Sequence, residues 1–265
     1  MGKIKALLNF LLRLAISEKI IIMLFVLGGL SLIMVHMTYS PAMRAILAQH
    51  DFNTVFSAQE MPFIIASFFS IVCAALIGST SFWWVFKEFF KDETVSFFLM
   101  KPLSRTVVGF SLVSAGMLLI GIFVCFIELL FAVIAFFHTR SFYVYYLGVN
   151  CGVLWYTGCF CFFYFCYFYT VWRNPLSIIF ALLIAGLGFT SMHLQSLNVQ
   201  GIFMNFSLLL AQALLPPIDS LFTIAALKYE GSVRAVFTQS LPIFCLLYIL
   251  SVYNLSKAYE NKRKK

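Results

Sequence analysis

One acidic residue lies well inside an apolar run of this sequence: Glu128, in "GIFVCFIELLFAVIAFF". A carboxyl group at membrane depth is costly and rare, so by default it is a functional candidate. It is expected either to line a substrate route or to be structural, hydrogen-bonded to a neighbouring helix or kept protonated. Further along, Tyr156, Phe160, Phe163 and Tyr167 recur at helical spacing. Such a stripe either stacks against amphiphiles or glycans on a route, or packs against other helices and lipid. Glu128 and these four aromatics are therefore the candidate substrate route.

The other chemistry-bearing residues form no set. The seven cysteines (Cys73, Cys125, Cys151, Cys159, Cys161, Cys166 and Cys245) sit in or beside apolar runs with no His, Asp or Glu at metal spacing. Neither a disulfide framework nor a zinc site fits them. His36, His50, His138 and His193 all fall at the outer side, where they either meet an exported metal or are simply scattered over loops and span ends. No Ser/His/Asp or Cys/His arrangement and no paired carboxylates stand within a span, so hydrolytic chemistry lacks an apparatus. The only Gly-Lys pair is Gly2-Lys3, without the glycine that a phosphate-binding loop places before it. No catalytic residue, cofactor or metal is expected in the chain, and on its own it is not expected to be an enzyme.

The elements that must position these residues follow from composition. Of 265 residues, 62% are hydrophobic and 11% charged, against about a quarter charged in soluble domains. Several apolar runs reach the ~20 residues that cross ~30 Å of hydrocarbon. The expected fold is all-α: a polytopic integral membrane protein of six transmembrane helices. The spans read as Ile20 to Thr38, Met61 to Phe86, one within Thr106 to Phe137, one within Leu147 to Trp172, Leu176 to Leu194, and Leu241 to Leu255. The third run would measure roughly 48 Å as one helix, so it must tilt, break or project from the bilayer. Gly148 and Gly152, at the head of the fourth span, would permit close helix approach.

Three segments lie between or before the spans. Residues 1–18 carry Lys3, Lys5 and Arg13 among leucines, which suits an interfacial helix or an early extension of the first span. Residues 201–235 are apolar but carry Pro216, Pro217 and Asp219, which suits a re-entrant helical pair on the outer side or two full spans. Residues 87–105, "KEFFKDETVSFFLMKPLSR", mix charge with phenylalanine. A helix from Lys87 to Met100 would gather Phe90, Thr94, Phe97 and Phe98 on one face, while Lys87, Glu88, Lys91 and Asp92 supply i,i+3 and i,i+4 partners of opposite sign. Pro102 would end it, and Ser104 would cap the next span. Its aromatic face needs headgroups or a partner protein to cover it.

Basic residues set the orientation. With the N terminus cytoplasmic, fourteen of the 18 Lys and Arg face inward and four face outward (Arg44, Arg140, Lys228 and Arg234). Both termini are thus expected in the cytoplasm. The net charge of +8 reflects basic loops on an anionic leaflet and calls for lipid, not nucleic acid. The tail "KAYENKRKK" serves the same anchoring, or contacts a partner.

Within residues 87–105, "ETVSFFLMKPLSR" resembles the segment between the second and third spans of ABC type-2 exporter permeases. Thr94, Pro102, Leu103, Ser104 and Arg105 match that family's order of Thr, apolar residues, Pro, small apolar residue, Ser and Arg. Glu93 stands where the family usually has Gly, and the later Gly-Lys is replaced by "VVGFSLVSAG". The likeness is closest to the small permeases grouped with multicopper-enzyme maturation and gliding-motility exporters.

The resemblance implies that residues 1–265 form one ABC type-2 transmembrane domain in a bacterial plasma or inner membrane. It makes 87–105 a coupling helix, with Phe90, Lys91, Glu93, Thr94, Phe97, Phe98, Pro102, Ser104 and Arg105 coupling to a separate ABC ATPase subunit that binds ATP and Mg. A second permease chain, identical or sister, would complete the membrane half. The expectation from another class is a non-transporting scaffold that recruits cytoplasmic partners through the same helix.

Overall fold

A run that is apolar all round can satisfy its backbone inside a bilayer only as a helix, where each N–H and C=O pairs within its own segment. The computed structural model describes residues 61–80, 82–91, 103–139, 144–172, 174–188 and 230–263, with Leu215 and scattered helical residues between Leu7 and Met37, and the continuous described stretches form six helices. In chain order the helices are α1 (Met61–Thr80), α2 (Phe82–Phe89), α3 (Arg105–Thr139), α4 (Val144–Trp172), α5 (Leu176–Gly188) and α6 (Glu230–Arg263). No strand occurs among the described residues.

Four stretches are long and apolar enough to cross a membrane: Ser67–Phe89 over α1 and α2, Arg105–Ile134 in α3, Gly148–Trp172 in α4, and Ser240–Asn261 in α6. α4 is the hub, touching α1, α3, α5 and α6. Lipid is as apolar as leucine, so these helices are held together by packing rather than by escape from water. Small residues bring them close. A methyl group on Gly78 of α1 would overlap the Gly158 carbonyl of α4, and one on Gly109 of α3 would overlap Ser256 and the Val252 carbonyl of α6.

Local signals fix the helix ends. The Val107 N–H donates to Ser104 Oγ at 3.4 Å, which makes Ser104 the cap of α3. α4 turns into α5 through Asn174 and Pro175, where the Ser177 N–H and Oγ–H both donate to the Asn174 carbonyl at 3.0 and 2.8 Å. Proline is tolerated at that entry because its missing N–H has no partner in a first turn. α5 buries Ser177, Ala181, Ala185 and Gly188 along one side.

Several sequence expectations change. α3 runs unbroken for 35 residues, so of the choices open to the third span, a break is excluded within that helix. The fifth span is described only as α5, 13 residues long and short of a bilayer; 189–194 lie outside the described residues. α6 begins at Glu230 rather than Leu241 and carries Pro242 inside it, since one missing N–H need not end a packed membrane helix. Residues 230–235 therefore belong to α6; of 201–229, only Leu215 is described. The first span falls mostly outside the described residues, with Val26, Gly28–Leu30, Ile33, His36 and Met37 helical. Leu7 and Leu11 are buried in the protein's core, while Asn9 and Arg13 are exposed. Gly148 and Gly152 face open space, so the close helix contacts lie elsewhere.

Candidate functional site

Lys91 and Leu103, the described residues on either side of 92–102, lie at the same end of the bundle, and the chain is firmly packed at both. On the entry side, Phe82, Phe86 and Phe89 are fully buried and Phe90 nearly so. Phe82 meets Phe162 with ring centroids 4.9 Å apart, and Phe86 meets Tyr169 at 5.1 Å and Phe165 at 5.7 Å. Phe90 lies 6.1 Å from Tyr169, and Phe89 lies 6.5 Å from Tyr259 of α6. Each such pair is worth about 0.5–1.5 kcal/mol beyond simple contact, so α2 is bolted to α4 and α6. Lys91 is exposed and pairs with Glu88, its Nζ donating to Oε1 at 2.7 Å.

On the return side Leu103 is buried, Ser104 caps α3, and the Arg105 guanidinium pairs with the Glu260 carboxylate near the end of α6. A cation in a first helical turn opposes the helix dipole, so this partner from α6 settles a residue that α3 alone disfavours. Beside the pair is a groove of about 460 Å³ between α3 and α6, with Phe110, Tyr248, Ile249 and Tyr253 as walls and Arg105 and Lys257 at its polar end. Of the expected coupling residues, the structure brings Phe90, Lys91, Ser104 and Arg105 to this end. Phe90 sits among the bundle's aromatics, and Lys91, Ser104 and Arg105 face outward. Glu93, Thr94, Phe97, Phe98 and Pro102 lie outside the described residues.

The expected substrate-route residues do not share one surface. Tyr156, Phe160 and Phe163 are buried against α6. Tyr156 stacks on Phe244 at 4.5 Å and 14°, and its hydroxyl is 2.9 Å from Ser240 Oγ. Phe160 and Phe163 also reach Phe244, at 5.6 and 5.0 Å. Tyr167 is 42% exposed. The stripe is thus divided between a helix–helix seam and the bundle's exterior.

Glu128 is elsewhere, 1% exposed, in a contact of α3 with α1 and α4. Ser70 of α1 and Asn150 of α4 hydrogen-bond its carboxyl group. Sequence reasoning singled out neither residue; nothing local marks a lone Ser or Asn in an apolar run as the partner of a distant acid. Glu260, the partner of Arg105, was missed for the same reason. Among the described residues no cysteines form a disulfide and no three His, Cys, Asp or Glu gather as metal ligands would; His50 and His193 lie outside them.

Compared with family models, curated proteins and solved structures, the chain matches none.

Proposed function

We propose that this chain is the membrane-spanning permease subunit of an ATP-driven exporter of the ABC type-2 class. In this reading residues 87–105 are the cytoplasmic coupling segment and a separate ATPase subunit supplies the energy. The supporting observation is that both attachments of the segment are gripped by the bundle, through Phe86, Phe89 and Phe90 on one side and the Arg105–Glu260 pair on the other. A push that reaches these two attachments would move α2 with α4, and α3 with α6, as rigid bodies.

The order of residues around Pro102, Ser104 and Arg105 supports the same reading, as do the inward basic bias and the absence of a phosphate-binding loop. The working unit would hold two membrane chains and two ATPases in a bacterial inner membrane, with both termini of this chain cytoplasmic. The substrate moves outward from the cytoplasm or inner leaflet.

The test is co-purification of the tagged chain with an ATPase and vanadate-sensitive ATP turnover in that complex. Arg105→Ala or Phe97→Asp should release the ATPase or uncouple its turnover. If both variants assemble and turn over normally, the coupling role is wrong. An ATPase-free assembly with other cytoplasmic proteins would indicate a recruiting scaffold instead.

A further inference from the structure

At the end of the bundle away from Arg105, three helices press polar side chains together inside an otherwise apolar contact. Ser70 is 5% exposed, Glu128 1% and Asn150 2%. Ser70 and Asn150 both hydrogen-bond the Glu128 carboxyl, yet Glu128 Oε2 and Asn150 Oδ1 are left without a partner. Among the described residues the ion pairs are Lys91–Glu88 and Arg105–Glu260, so no cation neutralises Glu128. Among the described residues, the titratable groups near it are the thiols of Cys151 on α4 and, hydrogen-bonded to that thiol, Cys125 on α3. α1 brings a hydroxyl, and α5 carries no titratable side chain.

An ionised carboxylate buried this way costs several kcal/mol in lost hydration, with two neutral donors and, among the described residues, no counter-ion to offset it. A proton on Oε2 removes the charge and turns an orphaned acceptor into a donor. A metal cation suits the site poorly. Hard cations such as Ca²⁺ and Mg²⁺ take about six or more oxygens, whereas three side chains are gathered here and the carbonyls of regular helices are already paired.

We propose that Ser70, Glu128 and Asn150 form an intramembrane proton-binding site, with a dissociable proton on Glu128 and the other two residues holding its carboxyl in place. Release leaves a carboxylate and passes the proton to water, so water must first enter the three-helix contact. Glu128 lies roughly 35 Å along α3 from Arg105, and Asn150 roughly 33 Å along α4 from Trp172. That is about the full ~30 Å of a hydrocarbon core. The site therefore exchanges with the aqueous phase at the end opposite the Arg105–Glu260 pair. Proton release and parting of α1, α3 and α4 are one event. This holds whether or not the chain serves an exporter.

The test is infrared difference spectroscopy of the full chain in lipid vesicles, wild type minus Glu128→Gln, titrated from acid to alkaline pH. The expected result is a carboxylic-acid carbonyl band assigned to Glu128 at neutral pH, replaced reversibly by carboxylate bands as pH rises. Ser70→Ala and Asn150→Leu should each move its midpoint. A carboxylate signal alone, already present just above the ordinary glutamate pKa of about 4.3, would overturn the proposal; so would an acid band that never titrates. Should Glu128→Gln not fold, wild-type protein treated with a hydrophobic carbodiimide, which adds to protonated carboxyls, should be labelled at Glu128 with a yield that falls as pH rises. Absence of that label at every pH also counts against the site.

Discussion

Glu260 and Glu128 are the same side chain at opposite ends of the bundle, and the fold gives them opposite surroundings. Glu260 keeps 28% of its side chain exposed and faces the guanidinium of Arg105. Glu128 is 1% exposed, has a hydroxyl and an amide for company, and keeps one oxygen unpartnered. An exposed ion pair is screened and adds little to stability, typically 0–1 kcal/mol. A buried acid is surrounded by groups with no alternative partner, so removing it leaves their polar atoms stranded. The contrast separates two roles that one residue type can play. The Glu128 contact depends on polar groups that meet only inside the bundle, whereas the Arg105–Glu260 pair can be broken at little cost while the aromatic packing beside it stays.

The largest expected effect breaks the buried end. Glu128→Ala strands Ser70 and Asn150 and opens a cavity between three helices, which should destabilise the chain by about 3 kcal/mol. Glu128→Gln keeps the shape and two neutral hydrogen-bonding groups, so it should cost less than about 1 kcal/mol. Thermal unfolding in one detergent checks both. Equal losses for the two variants would mean that the site's polarity does not matter and that the contrast with Glu260 fails.

A smaller effect, that of one hydroxyl, sharpens the comparison about 9 Å along α4 from Asn150. Tyr156→Phe removes the hydroxyl that meets Ser240 Oγ at 2.9 Å while keeping the ring stacked on Phe244. A loss of about 1 kcal/mol is expected, because the ring rather than the hydroxyl fills the seam. Tyr156→Ala should cost clearly more than Tyr156→Phe by opening that seam. The same unfolding measurement applies, and a loss from Tyr156→Phe as large as from Tyr156→Ala would mark the seam as polar rather than aromatic.

How much of this was legible in the sequence depends on range. Run length and apolar composition reveal α3 and α4 almost to their ends, and Ser104 reads as a cap because capping is settled within three residues. Glu128 stands out because an acid among phenylalanines and leucines is conspicuous without any neighbour. Its partners are not legible: Ser70 and Asn150 are common residues whose meaning arises only when α1 and α4 are side by side. Glycine misleads in the same way. Gly148 and Gly152 look like a contact face by spacing, yet the contacts fall at Gly78, Gly109 and Gly158, because spacing shows that a helix can be approached but not from which side. Phe90 illustrates the limit from the other direction. Alternating charge beside it suggests a free amphipathic helix, but Tyr169 and the neighbouring phenylalanines draw Phe90 into the bundle.

The smallest effect on stability tests the exposed end. Arg105→Ala, Glu260→Ala and the double variant form a cycle whose coupling energy in the isolated chain should stay below about 1 kcal/mol and shrink with salt. Function should respond differently if the segment between Phe90 and Leu103 transmits force. Losing the pair removes the charged tie between the first turn of α3 and the end of α6, while the close contact at Gly109 and Ser256 remains, so a push on the segment would pass to α6 less directly. ATP turnover by an associated ATPase should then persist while its coupling to transport falls, with the chain's melting temperature almost unchanged. Charge reversal at both positions, Arg105→Glu with Glu260→Arg, restores the attraction and also places an acid in the first turn of α3 and a base near the end of α6, both favoured by the helix dipoles. If the tie between helices is what matters, the swapped chain should regain coupling. If Arg105 instead meets the ATPase directly, the swap should fail as badly as Arg105→Ala, so the result distinguishes a tie inside the bundle from a contact outside it.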